Sequence, residues 1–319
     1  MSETAPGCHP PIAPPAAGGR EAAAEIPLRW LLIAAQAATL WITWPLWQVR
    51  TQPPPLPLLP LPQFDMGVPL LACLAAIGLR PRVGTAAYAA TLAWAVVTDQ
   101  LRLQPYMLSL LLLTLGTTGH PAGVLAARTT LVATWLYAGL HKLTSAGFFA
   151  DTAPWLVGGL WPALTATWSV PIGATIAAGE VLLALVCLVP RCRIAAAVVA
   201  AAAHAATLVA LSPLGLDWNP AVWPWNATFA CVAPMLLLTW RGPGLGDAWA
   251  QAAPWARAAS AALLVMPAGY WLGVTDASLA HCLYAGNVPR AFICTPFSRV
   301  DINTRIARLN VFVPPAQRL

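Results

Sequence analysis

The chain has 319 residues, of which 59% are apolar and 9% charged, with a formal net charge of +6 and a mean hydropathy of +0.67. A water-soluble domain carries about 25% charged residues, so this composition excludes an ordinary soluble enzyme and fits an integral membrane protein. The arginines are scattered between apolar runs and form no basic block with interleaved aromatics, which excludes a nucleic-acid surface.

Residues 1–28 are rich in Pro, Ala and Gly and read as a disordered tail. They have no apolar stretch after a basic start, so they do not form a cleavable signal. A hydrocarbon layer ~30 Å thick needs about 20 apolar residues in a helix. The run 29–47 meets that length. Three shorter runs follow at 64–79, 83–99 and 104–118, and each reads either as a full span or as a partial, re-entrant one. Gly116, Gly119 and Pro121 then predict a tight hairpin into the next run, 121–141. Residues 142–169 form a Trp- and Gly-rich connection expected to lie along the membrane surface. The runs 170–189, 194–212, 221–240 and 257–274 complete a helical transmembrane domain over 29–274. The polar segment 275–319 is too small to fold alone and is expected to pack on that domain.

The fold class is therefore all-α, a polytopic helical membrane protein with about nine transmembrane helices. The sixteen Trp gather near the ends of apolar runs, as in interfacial aromatic belts. Positive residues favour cytoplasmic loops. With nine spans and the N-terminus inside, Arg20, Arg29, Arg80, Arg82, Arg191, Arg193, Arg241 and Arg257 fall on the inner side. Only Arg50, Arg102 and Lys142 flank spans on the outer side, where the C-terminal tail also lies. The expected location is a cytoplasmic (inner) membrane of bacterial type, crossed several times. Seven cysteines show neither a CxxC pair nor zinc-type spacing with His, so no metal site is expected. Cys282 and Cys294, both in the outer tail, are candidates for a disulfide.

Ionisable residues inside apolar runs are costly and are functional suspects. Asp99 and Arg102, three residues apart at a helix end, predict a local ion pair at the interface. Arg128 either snorkels to the inner headgroups or pairs with a carboxylate on another helix. Glu180, in the middle of its run, is expected to face the bundle interior and hydrogen-bond there. His204, also central, is expected to be a satisfied core histidine.

Lys142 stands apart because it is the only lysine in the chain. Arg stays protonated at any ordinary pH, whereas a desolvated Lys gives up its proton. As an interfacial residue Lys142 reads as a headgroup anchor. Beside Tyr137 and His141, with Gly139 allowing a helix or ligand close, it reads equally as a candidate base.

"YAGLHKL" (Tyr137 to Leu143) resembles the Ala-Gly-x-x-Lys-Leu element of the vitamin K-dependent gamma-carboxylase and its bacterial relatives, the horizontally transferred transmembrane (HTTM) family. "LYAGNVPR" (Leu283 to Arg290) resembles the Leu-Tyr-x-Gly-Asn-Val element that follows the last span in that family. A looser resemblance extends to DoxX-type membrane proteins, through the Gly-x-x-Lys-Leu element. The first resemblance implies that Lys142 is the base that deprotonates a hydroquinone, with His141 beside it. It implies that Tyr137, Gly139, Tyr106, Tyr284 and Asn287 line the substrate site, and that oxygenation of the hydroquinone follows. Two departures argue against glutamate carboxylation. Tyr106, in "LQPYML", stands where the carboxylase has a His, and "PRAFICTPF" replaces its Trp and acidic pair. The function expected is binding or oxidation of a quinol-like lipid in the bilayer. The alternative is a non-catalytic scaffold or accessory subunit, with a transporter third, since no inverted pair of broken helices is visible.

Overall fold

The computed structural model describes residues 18–51, 54–238, 245–286, 292–294 and 299–301. Over these residues the chain is helical, apart from a short antiparallel pair, β1 (Phe292–Cys294) and β2 (Arg299–Asp301). Eleven α-helices run in order as α1 (Gly18–Ile42), α2 (Gly67–Leu79), α3 (Pro81–Thr98), α4 (Pro105–Leu115), α5 (Pro121–Leu143), α6 (Ala153–Leu160), α7 (Thr165–Cys187), α8 (Arg193–Leu211), α9 (Trp223–Leu238), α10 (Leu245–Gln251) and α11 (Pro254–Val265). Each apolar run seen in the sequence contains a helix. Proline stands at the first position of α3, α4, α5 and α11, where its missing N–H costs nothing and its fixed φ suits the first turn.

The helices differ from the expected spans at informative places. α1 begins at Gly18, inside the segment read as a tail, because "REAAAE" is strongly helix-forming. The run 29–47 breaks after Ile42 into a 3₁₀ turn, Trp44–Trp47, at Pro45. The run 257–274 likewise passes from α11 into a 3₁₀ stretch, Met266–Leu272, at Pro267. The connection after α5 is mostly helical, a π turn at Phe148–Thr152 followed by α6, which packs on α7. Two stretches, Pro162–Cys187 and Pro190–Leu211, are long and apolar enough to cross a membrane. α2 and α4 are apolar but short.

The main core lies between α1, α2, α4, α5 and α9, with Leu32, Trp47, Leu70, Leu110 and Phe229 fully buried. α8 packs on α9, α5 on α7 and α2 on α3. Large apolar side chains also cover the outside, among them Trp41, Leu79, Leu182, Ile194 and Val198.

Charged groups gather at two ends. At one end Arg29 donates to Thr117 O (2.8 Å), and Arg82 donates to Thr118 O (3.1 Å) beside the Gly116–Gly119 turn. At the other end lie Arg50, Asp99, Arg102 and the close of α5. The segment 275–286 docks there. Gly286, at φ +71°, sits so near Gly147 that a Cβ would meet the Phe148 nitrogen at 2.6 Å. Only glycine allows this approach.

Candidate functional site

α5 and α7 run antiparallel, since Gly173 near the start of α7 lies against Phe148 beyond the end of α5. Their backbones touch at Gly139. A Cβ there would stand 2.5 Å from Ala177 O and 2.7 Å from Val181 Cγ2. The glycine therefore serves helix approach, one of the two uses its position suggested. Side chains on a helix lean towards its N-terminus. On two antiparallel helices, residues just C-terminal to the crossing therefore lean towards each other. Lys142 and Glu180 occupy those places.

Lys142 Nζ donates to Glu180 Oε1 at 2.9 Å and Oε2 at 2.7 Å, and lies 3.3 Å from Ala138 O. All three ammonium donors thus have acceptors. The lysine side chain is only 7% exposed, which overturns the headgroup-anchor reading. Glu180 retains 28% of its side-chain surface. It faces the interior through its oxygens while keeping one side open, so the pair is closed on the lysine side and open on the glutamate side.

His141 follows the helix about 100° further round and faces the segment after α11. Its ring centre lies 4.4 Å from Trp271, 5.3 Å from Tyr270 and 6.1 Å from Tyr137. The Ala280 and Pro267 backbones approach it, but neither ring nitrogen reaches a partner in hydrogen-bond geometry. Lys142 and His141 therefore belong to two adjoining groups, one ionic and one aromatic, separated by the helix backbone. Tyr137 belongs to the aromatic group. Trp271 donates to Thr144 Oγ1 at 3.3 Å and is half exposed, which opens that group to the surface.

His281, which the sequence did not single out, is buried close to His141. Burial foremost, with His141 next, pushes its imidazole down to about 4. Cys282 is buried and packed with Ala280, Ala285 and Tyr270. The Cys294 side chain and Asn287 lie outside the described residues.

Tyr106 and Tyr284 are brought near one another, and Asn219 Nδ2 donates to Tyr284 Oη at 3.2 Å. Tyr284 and Asn219 both adopt positive φ, a conformation that costs energy for residues with a Cβ. Burial pushes the Tyr284 phenol up. His204 accepts from Trp135 Nε1 at 3.0 Å through Nε2, while its Nδ1 lies 3.0 Å from Asn226 Oδ1. Both ring nitrogens are used. Arg128 is half-buried on α5.

The local Asp99–Arg102 pair expected from spacing is present, at 3.8 Å, but as part of a larger buried cluster. α3 ends at Thr98 and Asp99 is extended (φ −160°), so the three-residue spacing no longer places the two on one helical face. Asp99 Oδ2 also takes a hydrogen bond from Arg50. Arg102 donates to Leu46 O (3.1 Å) and Gln48 O (2.8 Å) and is buried rather than interfacial.

The chain matches no family model, no curated protein and no solved structure.

Proposed function

We propose that this chain is a multi-pass membrane protein of about nine membrane-inserted helices, N-terminus inside and C-terminus outside, which binds a quinol-like lipid and deprotonates it at Lys142. The membrane reading is supported by apolar residues on the outer faces of α1, α7 and α8, since soluble monomers seldom expose contiguous apolar surface on this scale. It is also supported by the gathering of Arg29 and Arg82 at one end of the bundle.

The observation that carries the chemical reading is the Lys142–Glu180 pair, half open towards the outside of the bundle. A lysine accepts a proton only after losing its own, and the glutamate at 2.7 Å is the group that takes it. The neutral amine then accepts a hydroxyl proton from the quinol, giving ammonium and quinolate. The aromatic group of Tyr137, His141 and Trp271 supplies flat apolar surface for a ring beside this step. Lipid extraction and mass spectrometry of the purified protein test the reading. A co-purifying quinone or quinol is expected, and its repeated absence from active preparations would overturn it.

A second reading, a non-catalytic membrane scaffold, is favoured by the completeness of the pairing. An ammonium with all three donors satisfied also serves as a clip between α5 and α7. Substitution by arginine separates the two readings.

A further inference from the structure

Two arginines share one carboxylate at the end of α3. Asp99 has little left to offer them, because its Oδ1 already faces the N–H groups of Leu101 (3.2 Å) and Leu56 (3.3 Å). Its single negative charge lies against two guanidinium groups, Arg50 and Arg102, whose side chains are 5% and 1% exposed. The next carboxylate, Asp65, is exposed and accepts from Val49 N at 2.6 Å. Arg50 Nε, Arg50 Nη1 and Arg102 Nη1 are buried and have no hydrogen-bond acceptor.

A buried cation needs both a counter-charge and acceptors for its N–H groups. Here three guanidinium donors are left without an acceptor, and the second carboxylate near Arg102, Asp65, is exposed. We propose that Arg50 and Arg102 hold the phosphate of an anionic lipid headgroup. Guanidinium forks match the geometry and charge of phosphate oxygens. Arg50 lies between exposed Val49 and exposed Thr51, which places it next to the surface. The connection that covers the cluster exposes Leu56, Leu58, Leu59 and Phe64. Apolar side chains beside a pair of guanidinium groups suit an amphiphile better than a free ion. The inference rests on the membrane reading but not on the Lys142 chemistry.

The test uses full-length protein purified in a neutral maltoside detergent and washed until the bulk lipid is removed. Wild type is expected to retain about one phosphorus per chain, and Arg50→Gln roughly a tenth of that. Short-chain phosphatidylglycerol is expected to raise the melting temperature of wild type and to leave Arg50→Gln unmoved. A matching rise with inorganic phosphate would overturn the lipid assignment. Equal phosphorus in wild type and variant, or none in wild type, would overturn the site. If Arg50→Gln does not fold, Arg50→Lys keeps the charge, loses the fork, and is expected to retain an intermediate amount; full retention would count against the site. A chain that stays in solution without detergent would refute the membrane reading, an outcome distinct from all of these.

Discussion

Two buried polar centres sit on the same helix and differ in how completely they are closed. Around His204, a neutral ring from α8 is met by Trp135 and Asn226, and both nitrogens are used. Around Lys142 one partner is the Ala138 carbonyl and the other, Glu180, is ionisable and retains more than a quarter of its side-chain surface. A closed neutral network fixes helix positions and has nothing to exchange. An open ionisable pair has a proton to exchange and a side from which to do so. The contrast separates a packing device from a candidate reactive one within a few turns of α5.

The sharpest way to break the contrast is Lys142→Arg. Arginine keeps the charge and can still meet Glu180, but it cannot lose its proton. We expect abundance in membranes near wild type and a loss of at least ~100-fold in quinol-dependent oxygen uptake, a size typical of losing an acid–base group. Retained uptake would leave Lys142 as a clip. His204→Ala should do the reverse. It leaves Trp135 N–H and Asn226 unpaired inside a packed core and should cost about 2–4 kcal/mol. A lower melting temperature in detergent, with unchanged uptake per folded molecule, is the expected result.

The smallest effect concerns His281, a third buried imidazole whose Nδ1 has no partner. Its folded pKa of about 4 lies below the ordinary imidazole value of ~6.5, so the unfolded chain takes up the proton first as pH falls. Docking of the segment around His281 is therefore fully present above ~6.5 and weakens towards about 4, by at most ~1.4 kcal/mol per pH unit. Hydrogen exchange over 276–286 should speed up across that window once corrected for intrinsic rates. His281→Gln should flatten the dependence.

The positions of the helices were largely legible because apolar run length and proline punctuation are local signals. The Gly116–Gly119 turn and the starts of α3, α4 and α5 follow from them directly. Lys142 and Glu180 each stood out, one as a unique amine and the other as a carboxylate amid apolar residues. Their pairing across 38 residues of sequence depends on where two helices cross, and no local pattern encodes it. The Asp99–Arg102 pair was legible from its three-residue spacing, whereas Arg50 was not, because it comes from a segment 49 residues earlier in the chain. His281 carried no signal, since its burial is created by the docking of Gly286 on Gly147.

The shortness of two helices has a consequence for the surrounding lipid. α4 has 11 residues and α2 has 13, whereas α5 has 23, lengths of roughly 16, 20 and 35 Å at ~1.5 Å per residue. Embedded as proposed, α4 is enclosed by its neighbours, whereas α2 presents a short apolar face to the lipid. A bilayer meets such a mismatch by thinning on the short side, at a cost of fractions of a kcal/mol per Å. The protein should therefore be sensitive to acyl-chain length, with shorter chains favoured beside α2, where Val68 and Leu79 are exposed.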